Sequence, residues 1–157
     1  MARRRTAVKR EILPDPKFHD MLVSRFVNCL LRQGKKSLAE RMLYTALDTI
    51  GEKVADEEPL RVFKKAVENA APVLEVRSRR VGGATYQVPV EVNHSRRIAL
   101  SIRWLIGNAK SRAGKSMAEK LTAELLDAYN SQGGAIKKKD EVHRMAEANK
   151  AFGDYRW

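Results

Sequence analysis

Cysteine is almost missing from this sequence. Cys29, inside the apolar run "FVNCLL", is the only one among 157 residues. A single thiol closes no internal disulfide and builds no cysteine zinc site, so the expected compartment is reducing and cytoplasmic. Long apolar runs are missing too. No stretch of about 18 apolar residues occurs, which excludes a membrane-spanning helix. The opening "MARRRTAVKR" leads into "EILPDPK" rather than an apolar stretch, so it is not read as a secretory signal.

Catalytic signatures are equally scarce. His19, His94 and His143 lie far apart, without cysteine partners or a His-Glu-x-x-His arrangement, so no metal is expected. No serine or cysteine sits in a nucleophile motif. "AGKS" at 113–116 falls short of a phosphate loop, because Ala109 stands where its first glycine belongs and the preceding segment reads as helix. The acidic run Asp56, Glu57, Glu58 is explained by the start of a helix, where carboxylates favour the positive end. Neither an enzyme, a cofactor nor a small-molecule substrate is expected.

What is present is positive charge. Lys and Arg number 31 against 19 Asp and Glu, a formal net charge of +12. Such a field favours polyanions, because each neutralised phosphate releases condensed counterions. The charge is also shaped. Residues 1–39 carry net +7, 40–75 carry −3, 76–120 carry +8, and 121–157 balance.

The expected fold is mainly α, one domain of about six helices with a β-hairpin between the third and fourth. Residues 1–17 read as a basic flexible tail, held extended at "LPDP" by Pro14 and Pro16. The domain covers 18–157. Helices are expected from about His19 to Leu31, with Leu22, Val23, Phe26, Val27 and Leu30 at helical spacing, and from about Ser37 to Val54. The second buries Leu38, Met42, Leu43, Ala46, Leu47, Ile50 and Val54. Pro59 opens a third, carrying Leu60, Phe63, Val67 and Ala70. A fourth runs from about Ser95 to Ala109, and a Ser116–Glu119 capping box opens a fifth. The sixth carries Ile136, Val142, Met145, Ala146 and Phe152 inward.

The hairpin, at about 73–92, is the interruption. "VLEVRSRRV" and "ATYQVPVEV" have strand chemistry, and Gly82-Gly83 supplies the positive φ values of a tight turn. An edge strand protected against aggregation needs one or two charges of either sign. Arg77, Arg79 and Arg80 are all positive, with no acid between them, which points to nucleic acid. Arg96 and Arg97 open the fourth helix, where the dipole disfavours cations, so an external anion is expected; Arg103 follows on that helix. Arg3, Arg4, Arg5, Lys9 and Arg10 give the tail its phosphate affinity, the arginines through a planar fork that donates two hydrogen bonds at once. Lys35 and Lys36 sit in a charged interhelical loop, and Lys115 is a surface charge at another. Tyr155, Arg156 and Trp157 at the end either stack on bases or cap a groove between helices.

"ILPDPKF", "SRRVGGATYQVPVEV", "RRIALSIRW", "KSMAEKL" and "VHRMAEANKAFGDYRW" closely resemble the bacterial family of small-subunit ribosomal protein seven, over nearly the whole chain. The resemblance implies a structural ribosomal component that binds the 3′ major domain of small-subunit ribosomal RNA and nucleates assembly of the head. It implies a hairpin at the subunit interface, near the exit-site transfer RNA and the messenger RNA path, and contacts with small-subunit proteins nine and eleven. It places the tail cations, Lys35, Lys36, Arg96 and Arg97 on ribosomal RNA, with Arg103 and Lys115 among the same set. Arg77, Arg79, Arg80 and Tyr86 become hairpin RNA contacts, and Tyr86 with Gly82 and Gly83 shapes the tip. Two rivals remain at this point: a DNA-bending protein with β-ribbon arms, which would wedge an apolar residue near the tip, and an RNA-modifying enzyme.

Overall fold

The computed structural model describes residues 10–155. Six α-helices and one hairpin follow in the order α1 (Met21–Leu30), α2 (Lys36–Lys53), α3 (Pro59–Asn69), β1 (Leu74–Val81), β2 (Ala84–Glu91), α4 (His94–Ser111), α5 (Met117–Tyr129) and α6 (Gly133–Ala148), with a terminal 3-10 helix at Lys150–Tyr155. This is the expected architecture.

Local chemistry sets the helix starts. Asp20 caps α1 by accepting from the Leu22 amide, Asn93 caps α4 from Ser95, and Ser116 caps α5 from Glu119. Glu119 reciprocates onto the Lys115 amide at 3.2 Å, one residue before the cap. Pro59 occupies the first turn of α3, where its missing N–H costs nothing.

Helix α5 is the centre of the packing and touches α2, α3, α4 and α6. Leu121, Leu125 and Ala128 on it are fully buried, as are Leu43, Leu47 and Ile50 on α2. Phe26 and Phe63 meet edge to face at 5.3 Å between α1 and α3, the favoured arrangement for two ring quadrupoles. The α4–α6 crossing is close because residue 134 is glycine: a Cβ there would come within 2.6 Å of Asn108 Oδ1.

Three expected core residues lie elsewhere. Leu38 and Met145 are each 42 % exposed, because each sits at the edge of its helix's apolar stripe rather than on its centre line. Phe152 lies beyond α6, in the 3-10 helix, where it packs on the hairpin at Tyr86.

The N-terminal segment also differs from expectation. Leu13–Lys17 is tied down: the Ser24 hydroxyl donates to the Leu13 carbonyl, and the Asp15 carboxylate accepts from the Lys17 and Phe18 amides and from the Tyr44 hydroxyl. Asp15 is 1 % exposed, so the chain is anchored to α1 and α2 well before α1 begins. Burial, then the hydrogen bond and charge of Asp15, push the Tyr44 phenol well above its ordinary range.

The strands pair antiparallel from Leu74↔Glu91 to Val81↔Ala84, leaving a two-residue turn. Gly82 at φ 56° and Gly83 at φ 89° both take the left-handed region that such a turn requires. Burial falls along the arm. Glu75, Val88 and Pro89 near its base are buried, whereas Gly82, Gly83, Ala84 and Thr85 at the tip are exposed.

Candidate nucleic-acid interface

Strand alternation sorts the hairpin arginines onto two faces. Arg77 pairs with Val88 and Arg79 with Tyr86, so both share the face of Glu75; Arg80, opposite Thr85, points the other way. Tyr86 lies two pairs behind the turn, so it does not shape the tip. Its ring packs at 5.2 Å on Phe152 and docks the arm on the C-terminal 3-10 helix.

Arg96 and Arg97 have partners inside the chain, which corrects the inference that their place at a helix start needs an external anion. Arg96 Nε donates to Glu75 Oε2 at 2.7 Å, and Arg77 Nε donates to Glu75 Oε1 at 2.7 Å. Arg97 Nε donates to the Pro72 carbonyl at 3.1 Å. Burial would push the Glu75 carboxyl up, but hydrogen bonds and charge from Arg96 and Arg77 outweigh it and hold the group below the usual carboxylate range.

The remaining sites are distributed over the body. Lys35 stands at the residue before α2, with no capping hydrogen bond from its side chain, and is exposed; Lys36 reaches Glu40 at 3.6 Å, one turn on. Arg10, Arg103 and Lys115 are exposed. Arg3, Arg4, Arg5 and Lys9, with Arg156 and Trp157, lie outside the described residues.

Folding also gathers cations that no run of sequence announces. Arg32 and Lys110 join Lys35 around a groove floored by Leu30, Leu38, Met42 and Met117. Arg25 joins Arg10 beside Cys29 and Ile102. Arg32 and Lys35 come from the turn between α1 and α2, Lys110 from α4, Arg25 from α1 and Arg10 from the segment before it, so only folding brings them together. Among the described residues, no group of three His, Cys, Asp or Glu side chains stands ready to hold a metal ion. Among the described residues, too, no helix is long and apolar enough to cross a membrane.

The hairpin base has a titratable latch. His143 Nε2 on α6 accepts from the Val73 amide at 3.0 Å, which only a neutral imidazole can do. Burial first, then the Lys139 charge, lowers its pKa from the ordinary 6.5; Asp140 opposes and Arg97 adds to the lowering. The unfolded chain therefore takes up this proton before the folded protein does. The contribution of His143 is complete above about pH 6.5 and is lost as pH falls through the lower folded value. Thermal midpoints are expected to drop between about pH 7 and pH 5, and to drop less in His143→Gln, which keeps an acceptor without a proton to gain. Identical pH profiles for the two proteins would remove the latch. At lower pH, Glu75 and Asp20, both held below the usual carboxylate range, add a second loss of the same sign.

Residues 2–150 match the family described as Ribosomal protein S7p/S5e. Over all 157 residues, and the whole of each relative, the chain is 57 % identical to a protein of Desulfotalea psychrophila, 60 % to one of Myxococcus xanthus and 61 % to one of Syntrophus aciditrophicus. Each of the three carries the name small ribosomal subunit protein uS7.

Proposed function

Because the chain belongs to the ribosomal protein S7p/S5e family, a non-enzymatic structural component of the small subunit of cytoplasmic ribosomes, we propose that it is a primary binder of the 3′ major domain of small-subunit ribosomal RNA. On this reading it nucleates the head of the subunit. The hairpin lies at the subunit interface near the exit-site transfer RNA and the messenger RNA path, and proteins nine and eleven of the small subunit are neighbours.

One observation carries the reading. Arginines are presented on a projecting arm and at its base, while three of the acidic residues of 40–75 are taken up in ion pairs within the chain. Glu75 serves Arg77 and Arg96, Asp48 pairs with Lys17 at 3.0 Å, and Glu40 pairs with Lys36. A compact helical body reaches phosphates only where its surface touches them. The arm's strands span roughly 25 Å at ~3.3 Å per residue, and the exposed tip beyond the docked Tyr86 carries that reach past the body. Contacts of this kind position a folded RNA by shape and backbone rather than by reading a linear sequence.

The test separates binding from folding. Arg79→Ala with Arg80→Ala should leave the thermal midpoint within about 2 °C of wild type, since surface changes away from buried networks cost little. The same double variant should flatten the salt dependence of binding to the 3′ major domain by roughly 1.4 to 1.8 in log–log slope, two phosphate contacts' worth. An unchanged slope would take the arm off the RNA.

A further inference from the structure

We propose that Glu75 is a positioning residue for RNA binding: its buried carboxylate holds the guanidinium groups of Arg77 and Arg96 side by side as a preformed clamp for adjacent phosphates. The inference rests on the ribosomal RNA reading above and goes one step further, to how two of the expected contacts are built.

The geometry is specific. Glu75 is 7 % exposed, and its two oxygens are divided between an arginine on β1 and one in the first turn of α4. The arginine side chains are themselves 52 % and 49 % exposed, so part of each donor fork stays open to solvent. Two guanidinium groups this close would repel one another. The carboxylate between them cancels one of the two charges and fixes both orientations, leaving the trio at net +1. Arg97, the next residue on α4, is fixed on the Pro72 carbonyl, so a third cation at the hairpin base is oriented by the fold.

Pre-ordering matters because a free arginine loses rotamer entropy when it grips a phosphate, and one already held does not. The same carboxylate joins the arm to α4, so the clamp and the angle of the arm are set together. Sequence alone hides this acid, because an isolated Glu in "VLEVRSRRV" reads as one more strand residue between valines.

Charge and geometry predict opposite signs for one substitution. Glu75→Gln raises the net charge one unit above +12, and a uniform polycation would then bind RNA more tightly. A positioning role predicts weaker binding, by roughly tenfold, the worth of one charge-assisted hydrogen bond. Glu52→Gln makes the same charge change at an exposed site on α2 and serves as the control. Full-length wild type, E75Q and E52Q are titrated with the 3′ major domain RNA across a salt series, with thermal melts in parallel. Weaker binding by folded E75Q, with E52Q equal to or tighter than wild type, supports the clamp. Binding by E75Q as tight as E52Q overturns it. If E75Q melts below the assay temperature, Arg77→Lys with Arg96→Lys decides instead, because it keeps both charges and loses the fork. Wild-type affinity in that protein rejects the clamp, and a loss of about tenfold supports it. Failure of wild type itself to bind the RNA would sink the underlying reading rather than the role of Glu75.

Discussion

Glu124→Ala is expected to destabilise the protein by about 3–5 kcal/mol, the cost of removing one partner from a buried ion pair. Glu124 lies on α5 and is 1 % exposed. Its Oε2 accepts from Arg112 Nε at 2.5 Å, and its Oε1 accepts from the Ala135 amide at 2.9 Å. One carboxylate thus joins the end of α4 to the first turn of α6 across the helix at the centre of the packing. Arg112 also donates to Asp127. Burial would lower the Arg112 pKa, but Asp127 and Glu124 outweigh it and keep the guanidinium firmly charged. Alanine leaves that cation with one partner fewer, strands the Ala135 amide, and opens a void in the contact of three helices. The loss should lower the thermal midpoint by roughly 10 °C, at the 2–4 °C per kcal/mol typical of this size. Glu124→Gln, which keeps an acceptor for the amide, should lose less. A midpoint within about 2 °C of wild type for the alanine variant would show that the network contributes little.

Deleting residues 2–10 should have the largest effect on RNA binding while leaving the fold in place. The segment holds Arg3, Arg4, Arg5, Lys9 and Arg10. If each meets a phosphate, the log–log salt slope should flatten by roughly 3.5 to 4.5, and affinity at moderate salt should fall by orders of magnitude. Stability should survive, because the anchors of the N-terminal segment start at Leu13 and Asp15. A slope equal to that of the full chain would mean the segment touches no phosphate. A large drop in melting temperature would mean that it belongs to the core.

Local features made much of this fold readable in advance. Gly82-Gly83 between alternating strands admits few structures other than a hairpin, and Pro59 and Ser116 punctuate helices through their own local chemistry. The apolar stripe of α2 gave its packed face, apart from the edge position Leu38. Long-range pairing was not readable. Glu75 and Arg96 stand 21 residues apart, and Arg112 and Glu124 stand 12 apart; nothing local separates these acids from ordinary surface carboxylates. Asp15 in "LPDP" reads as part of an extended tail until Tyr44, 29 residues on, supplies its partner. For the site, clustered charge pointed to the arm and the start of α4. The Arg32, Lys35 and Lys110 groove required α1, α2, α4 and α5 to be folded together first.

The most direct test of the central claim is a binding titration of the full-length protein against the isolated 3′ major domain of small-subunit ribosomal RNA, with excess duplex DNA as competitor, across a salt series. The account predicts tight binding that survives the DNA at every salt concentration where the RNA stays folded. Binding abolished equally by DNA would contradict it, leaving a polycation with no preference for the folded RNA.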